Sequence, residues 1–232
     1  VYLGGELLAD SIRPSLVWEK PYYPTYYFPW DDVRRDLLVD SGEIARSPSR
    51  GDATLYTIKA GGKEAAAAAY SYHESPVADL RDLVAFKWSA MDRWFEEDEE
   101  VYVHPRDPYT RVDILHSSRR VEVYVDGVKV ADTHAPTLLF ETGLPVRYYL
   151  RKVDVRMDLL ERTETRTHCP YKGTAEYWSV RVGERVYPDL VWSYPFPTAE
   201  SSKIAGLVSF YNEKVDIVVD GVTMERPRSP FS

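Results

Sequence analysis

The chain is an internal duplication. Laid without a gap on the segment that begins 122 residues later, residues 1–72 are identical at 22 of 72 positions, running from Val1 on Val123 to Tyr72 on Tyr194. Average residue usage would give roughly four identities. A period of about 120 residues is too long for a solenoid unit and suits two copies of a small domain, each burying its own core. The 232 residues alone would allow one or two domains, and the repeat decides for two. This reading places a first domain at residues 1–103, a crossover linker at 104–120, a second domain at 121–226 and a surface tail at 227–232.

Composition narrows the class of partner. With 44% hydrophobic and 28% charged residues the balance is that of an ordinary globular chain. Its 18 Tyr, 7 Phe and 6 Trp favour β structure and concave, ring-lined surfaces, because Tyr and Trp carry polar tips that need partners. A net charge of −8 repels phosphate backbones and anionic membrane surfaces, so neither nucleic acid nor membrane is the expected partner. Cys169 stands alone, which excludes an intramolecular disulfide, and no Cys-x-x-Cys pair builds a zinc site. No metal site is expected, the cofactor is left unassigned, and a reducing cytoplasm is the simplest compartment. No apolar run reaches the roughly 18 residues of a membrane span.

Local signals predict mainly β structure: antiparallel sheets with one short helix per repeat. Residues 121–125 and 128–131 alternate around Asp126-Gly127, a two-residue hairpin signal matched by Gly4-Gly5 in the first copy. Residues 177–182 and 186–194 flank Gly183-Glu184, matched by Gly61-Gly62. Late in each copy Leu80, Leu83, Val84 and Lys87, and Ile204, Leu207, Val208 and Tyr211, recur at helical spacing. Ser201 or Ser202 is the expected N-cap, and the second copy carries two extra residues just before it. Ala65 to Ala69 reads as a strand of small residues where two layers approach closely.

The densest chemistry lies in the second copy: Glu141-Thr-Gly-Leu-Pro-Val-Arg147-Tyr148-Tyr149, His168-Cys169-Pro-Tyr171-Lys172-Gly173 leading to Trp178, and Trp192-Ser-Tyr194-Pro. These strings resemble the DUF427 family, a group of bacterial and fungal proteins named for lacking a known function, and the resemblance extends over essentially the whole chain in its tandem form. It implies two β-tent-like domains, each of antiparallel sheets meeting at an angle over a cavity, without metal cysteines. The family is sometimes catalogued as nucleotidyltransferase-like. Metal-dependent nucleotidyl transfer needs converging carboxylates, commonly from Asp-x-Asp beside a Gly-Ser turn, and no such pairing occurs here. The duplicated pairs Asp32/Asp36 and Asp154/Asp158, with an arginine between, read as ion-paired turns.

Three residues are candidates for catalysis. Cys169 beside His168 suggests an activated nucleophile, but neighbours on a strand point to opposite faces and the first copy has Ser47 there. A buried apolar role fits Cys169 better. Lys172 is matched by Arg50, and a glycine follows each, so a cation is kept on a Gly-flanked turn; it would reach an anionic ligand or form a Schiff base, or simply be a solvated turn lysine. Glu141, matched by Glu19, would act as acid or base, or accept hydrogen bonds structurally. Arg147 suits a bidentate clamp on an anion, although Thr25 replaces it in the first copy. Tyr148, Tyr171, Trp178, Trp192 and Tyr194 would ring a pocket for a planar or cationic ligand, with Tyr26, Tyr56, Tyr70 and Tyr72 as first-copy counterparts, or else be core. The expectation is a small-molecule binding protein whose second copy holds the better-formed pocket. The alternatives are an enzyme using Lys172 or Cys169 on a nucleotide or carbonyl substrate, and a non-catalytic interaction module.

Overall fold

A computed structural model describes residues 1–21 and 23–232; Tyr22 lies outside the described residues. Contacts divide the chain into two units, Val1–Asp107 and Pro108–Ser232. Both are built of antiparallel sheets. In the first unit six strands lie in the order Ser15–Lys20, Tyr23–Pro29, Leu83–Phe86, Lys63–Ser71, Gly51–Ala60 and Leu38–Ser47. In the second, seven strands follow the order Val112–His116, Thr137–Glu141, Arg147–Leu150, Val208–Phe210, Arg185–Ser193, Gly173–Val182 and Leu160–Cys169. A second sheet there joins Val128–Thr133, Val121–Val125, Asp216–Val219 and Val222–Thr223. No helix among the described residues is long and apolar enough to cross a membrane.

The four predicted hairpin turns are all present. Asp126 and Gly127 have φ of 50° and 75°, the left-handed pair that joins two right-twisted strands in two residues. The poly-alanine stretch is strand, with Ala68 and Ala69 fully buried. The helical spacing at 80–87 and 204–211 resolves differently. Ala78–Leu80 and Ala199–Ile204 are 3-10 turns, and Leu83–Phe86 and Val208–Phe210 are central strands. Consecutive buried residues Val84, Ala85 and Phe86, and Val208, Ser209 and Phe210, belong to a strand covered on both faces, which an i, i+3, i+4 pattern imitates. The cap of the second turn is Thr198, not Ser201 or Ser202.

Part of the expected crossover at 104–120 is strand, and the tail at 227–232 lies at the surface of the second unit. Contacts assign residues up to Asp107 to the first unit, while Val112–His116 pairs with Thr137–Glu141 as an edge strand of the second. Ser229 and Phe231 of the tail cover a buried ion pair described below.

Strand alternation sorts the second unit into two cores. Leu150, Trp178, Val180, Val191 and Phe210 pack with Val121, Val123, Val130 and Ile217 of the four-stranded sheet. Leu139, Tyr149, Tyr177, Trp192, Tyr194 and Ile204 form a separate cluster. The first unit repeats the division, with Phe28, Ile58, Val84 and Phe86 in one cluster and Tyr27, Tyr72, Leu80 and Ala85 in the other. Each fully buried aliphatic side chain contributes about 1.5–3 kcal/mol relative to exposure. The tyrosine-rich clusters carry the polar groups on which function turns.

Candidate functional site

The matched cation and matched acid are partners in both units. Glu141 ends the strand Thr137–Glu141, and Lys172 lies in the turn after Leu160–Cys169, closed by the Lys172 amide on the Cys169 carbonyl at 3.3 Å. Lys172 Nζ donates to Glu141 Oε2 at 2.5 Å with both side chains nearly buried. In the first unit Arg50 approaches Glu19 at 3.6 Å, donates from Nε to the Tyr72 hydroxyl at 3.2 Å and lies over the Tyr72 ring. Glu19 also accepts the hydroxyls of Tyr27 and, at 2.7 Å, Tyr70. Burial first, and then Tyr70 and Glu19 for Tyr27 and Glu19 for Tyr70, push both phenols well above the ordinary tyrosine range, so both stay protonated donors. In the second unit burial does the same to Tyr149 and Tyr194.

The glycine after each cation is required by geometry. Gly173 has φ of 95°, and a Cβ there would sit 3.2 Å from the Phe196 carbonyl oxygen; Gly51 has φ of 86°, with Pro76 Cδ at 3.2 Å. Gly173→Ala is expected to cost about 1–2 kcal/mol from the left-handed backbone alone. Thermal unfolding of the variant checks this, and an unchanged midpoint would show that the turn can relax.

The remaining predicted residues separate. Arg147 is buried and held bidentately by Glu213, at 2.7 Å to each oxygen, with Asn212 Oδ1 at 3.3 Å. Trp192, Tyr211 and Phe231 surround its guanidinium at 5.5–5.9 Å, and Ser229 donates to Glu213. The clamp foreseen for a ligand is thus occupied by the protein's own carboxylate. Tyr148 and Trp178 pack into the cluster of the four-stranded sheet, and the neighbouring Tyr149 and Tyr177 take the places expected of them. Trp192 donates to the Tyr149 hydroxyl at 3.0 Å. Tyr194 is buried in the same cluster, and Cys169 packs against it. His168 pairs with Thr174 at 2.9 Å and is exposed, whereas Cys169 is half-buried. The Tyr171 carbonyl anchors Thr198 and Ser201. Arg34–Asp36 and Arg156–Asp158 are ion pairs at 2.7 and 2.6 Å, as the turn reading expects.

Two cavities lie in the first unit. One of about 600 Å³ is bordered by Trp30, Tyr56 and His73, with the Tyr56 hydroxyl 2.7 Å from His73 Nε2. The faces of Trp30 are taken by His73, stacked at 5.9 Å, and by the Arg35 guanidinium at 5.7 Å. The other, of about 400 Å³, reaches Glu19, Tyr26 and Tyr70 and is lined also by Lys20, Thr25, Lys87, Trp88, Ser89 and Trp94. With the two-residue offset, Thr25, Lys87 and Ser89 correspond to Arg147, Tyr211 and Glu213. Where the first unit lines an open cavity with small polar groups, the second fills the matching positions with a buried ion pair and a ring. Lys87, Trp88 and Trp94 were not foreseen; the aromatic and basic run after the late strand was their only signal.

A protein-family model described as a domain of unknown function, DUF427, matches residues 1–97 and again residues 113–221, once in each unit. No curated protein matches the chain.

Proposed function

Because the chain belongs to the DUF427 family, whose description assigns no activity, we propose from the geometry that it binds a small molecule, and that the first unit's cavity holds it. One observation carries this reading: Thr25 and Ser89 line open space of about 400 Å³, whereas their counterparts Arg147 and Glu213 are locked together and buried. The volume lies within the range of small-molecule sites, and the lining pairs rings with a few polar groups, as such sites do. This moves the binding reading from the second copy, where motif density had placed it, to the first. A reducing cytoplasm remains the compartment that a single free cysteine suits best.

Native against denaturing mass spectrometry of freshly purified protein tests the proposal. The expected result is an excess mass in the native spectrum only, lost in a Thr25→Arg/Ser89→Glu variant that rebuilds the second unit's ion pair in the first. Loss of the excess mass from Trp192→Ala instead, with the rebuilt variant unaffected, would return the site to the second unit. An enzyme reading through Lys172 or Cys169 has less support. The Lys172 ammonium is paired with Glu141 and would have to lose its proton to attack a carbonyl, and the imidazole next to Cys169 in sequence bonds Thr174. Borohydride trapping or mild thiol labelling would revive that reading.

A further inference from the structure

We infer, resting on the cavity reading above, that the ligand of the first unit's cavity is a planar ring system carrying an anionic group. The wall is layered. Trp88 and Trp94 stack at 4.3 Å with 4° between their planes, and the Tyr26 ring lies within 30° of both at 6.4 and 6.0 Å. Near-parallel rings present a flat apolar surface that a planar ligand can extend by offset stacking.

The charge of the wall is opposite to that of the chain. Lys20 ends the strand Ser15–Lys20 and Lys87 directly follows Leu83–Phe86, and both line the cavity. Neither ammonium has an ion-pair partner among the described residues. Glu19, the carboxylate that lines the same cavity, is compensated by Arg50 and by the hydroxyls of Tyr27 and Tyr70. A protein of net charge −8 therefore turns two uncompensated cations toward one aromatic hollow, where low-dielectric walls focus their field. Of the planar or cationic ligand that an aromatic cage suggests from sequence, this keeps the planar and replaces the cationic. The second unit differs throughout: Thr142, Tyr211 and Asn212 stand at the positions of Lys20, Lys87 and Trp88, and strand register puts Ile217 at that of Trp94.

Calorimetric titration of the full chain with naphthalene-1-carboxylate, 1-naphthyl phosphate and neutral naphthalene-1-carboxamide separates the alternatives. At least one anion is expected to bind ten-fold or more tightly than the amide, with that preference falling as salt is raised. Which anion is preferred identifies a carboxylate or a phosphate source. In Lys20→Ala/Lys87→Ala, two exposed positions whose replacement leaves the fold intact by circular dichroism, the preference is expected to fall to two-fold or less while amide binding persists. If the amide binds wild type as tightly as both anions, or if the double variant keeps the preference, the charge inference is overturned and the cavity reading stands. If none of the three probes binds, or if binding is unaffected by Thr25→Arg/Ser89→Glu, the cavity reading falls and takes the inference with it.

Discussion

Replacing Arg147 with alanine is expected to destabilise the second unit by about 3–5 kcal/mol, because it strands a buried carboxylate. Glu213 is 1% exposed, and Arg147 supplies two of its hydrogen bonds. Replacing both members with apolar residues, as in Arg147→Met/Glu213→Leu, should be near neutral by comparison, since neither leaves a charge without a partner. Urea unfolding followed by tryptophan fluorescence measures both, and a cost below about 1 kcal/mol for the single variant would mean that water reaches Glu213. The pair also predicts an acid limb. Burial works to raise the Glu213 carboxyl, but the hydrogen bonds from Arg147 and Ser229 outweigh it and hold the group below the usual glutamate value of 4.5. A depressed folded-state value means that this stabilisation is complete above 4.5 and is lost as pH falls through the lower folded value. Arg147→Ala should remove that part of the acid sensitivity.

Lys172→Ala is expected to cost about 3 kcal/mol or more, and the matched Arg50→Ala only about 1 kcal/mol. The two substitutions remove the same duplicated cation from different surroundings. Glu141 and Lys172 are each about one-tenth exposed, and Lys172 is the ammonium that compensates the acid. Glu19 and Arg50 are about twice as exposed and 3.6 Å apart, and Glu19 keeps two phenol donors when the guanidinium is gone. Calorimetric unfolding of both variants gives the ratio directly. Equal losses would show that Tyr27 and Tyr70 do not hold Glu19 unaided.

What the sequence disclosed follows from the range of the interaction concerned. The hairpins at Asp126-Gly127 and Gly183-Glu184 and the ion-paired turns at Asp36 and Asp158 rest on neighbours in the chain, and all are found. The pairing of Lys172 with Glu141 spans 31 residues, so duplication marked both as retained without marking them as partners. Arg147 and Glu213 lie 66 residues apart, and nothing near Arg147 announces the acid that occupies it. Tyr148 and Trp178 were misplaced for a different reason. Each adjoins another aromatic, Tyr149 and Tyr177, and motif reading cannot choose between two neighbours that face opposite ways. The late helical spacing misleads because a doubly covered strand is buried at every position and satisfies a helical template as readily as its own.

The ion pair that fills the second unit also restricts what its descendants can become. Losing either Arg147 or Glu213 alone leaves the other charge buried without its partner. A chain that carries this pair must therefore change both residues together, while Thr25 and Ser89 can each vary alone. Duplication has thus left one copy of these positions free to change by single steps and the other held by a ratchet.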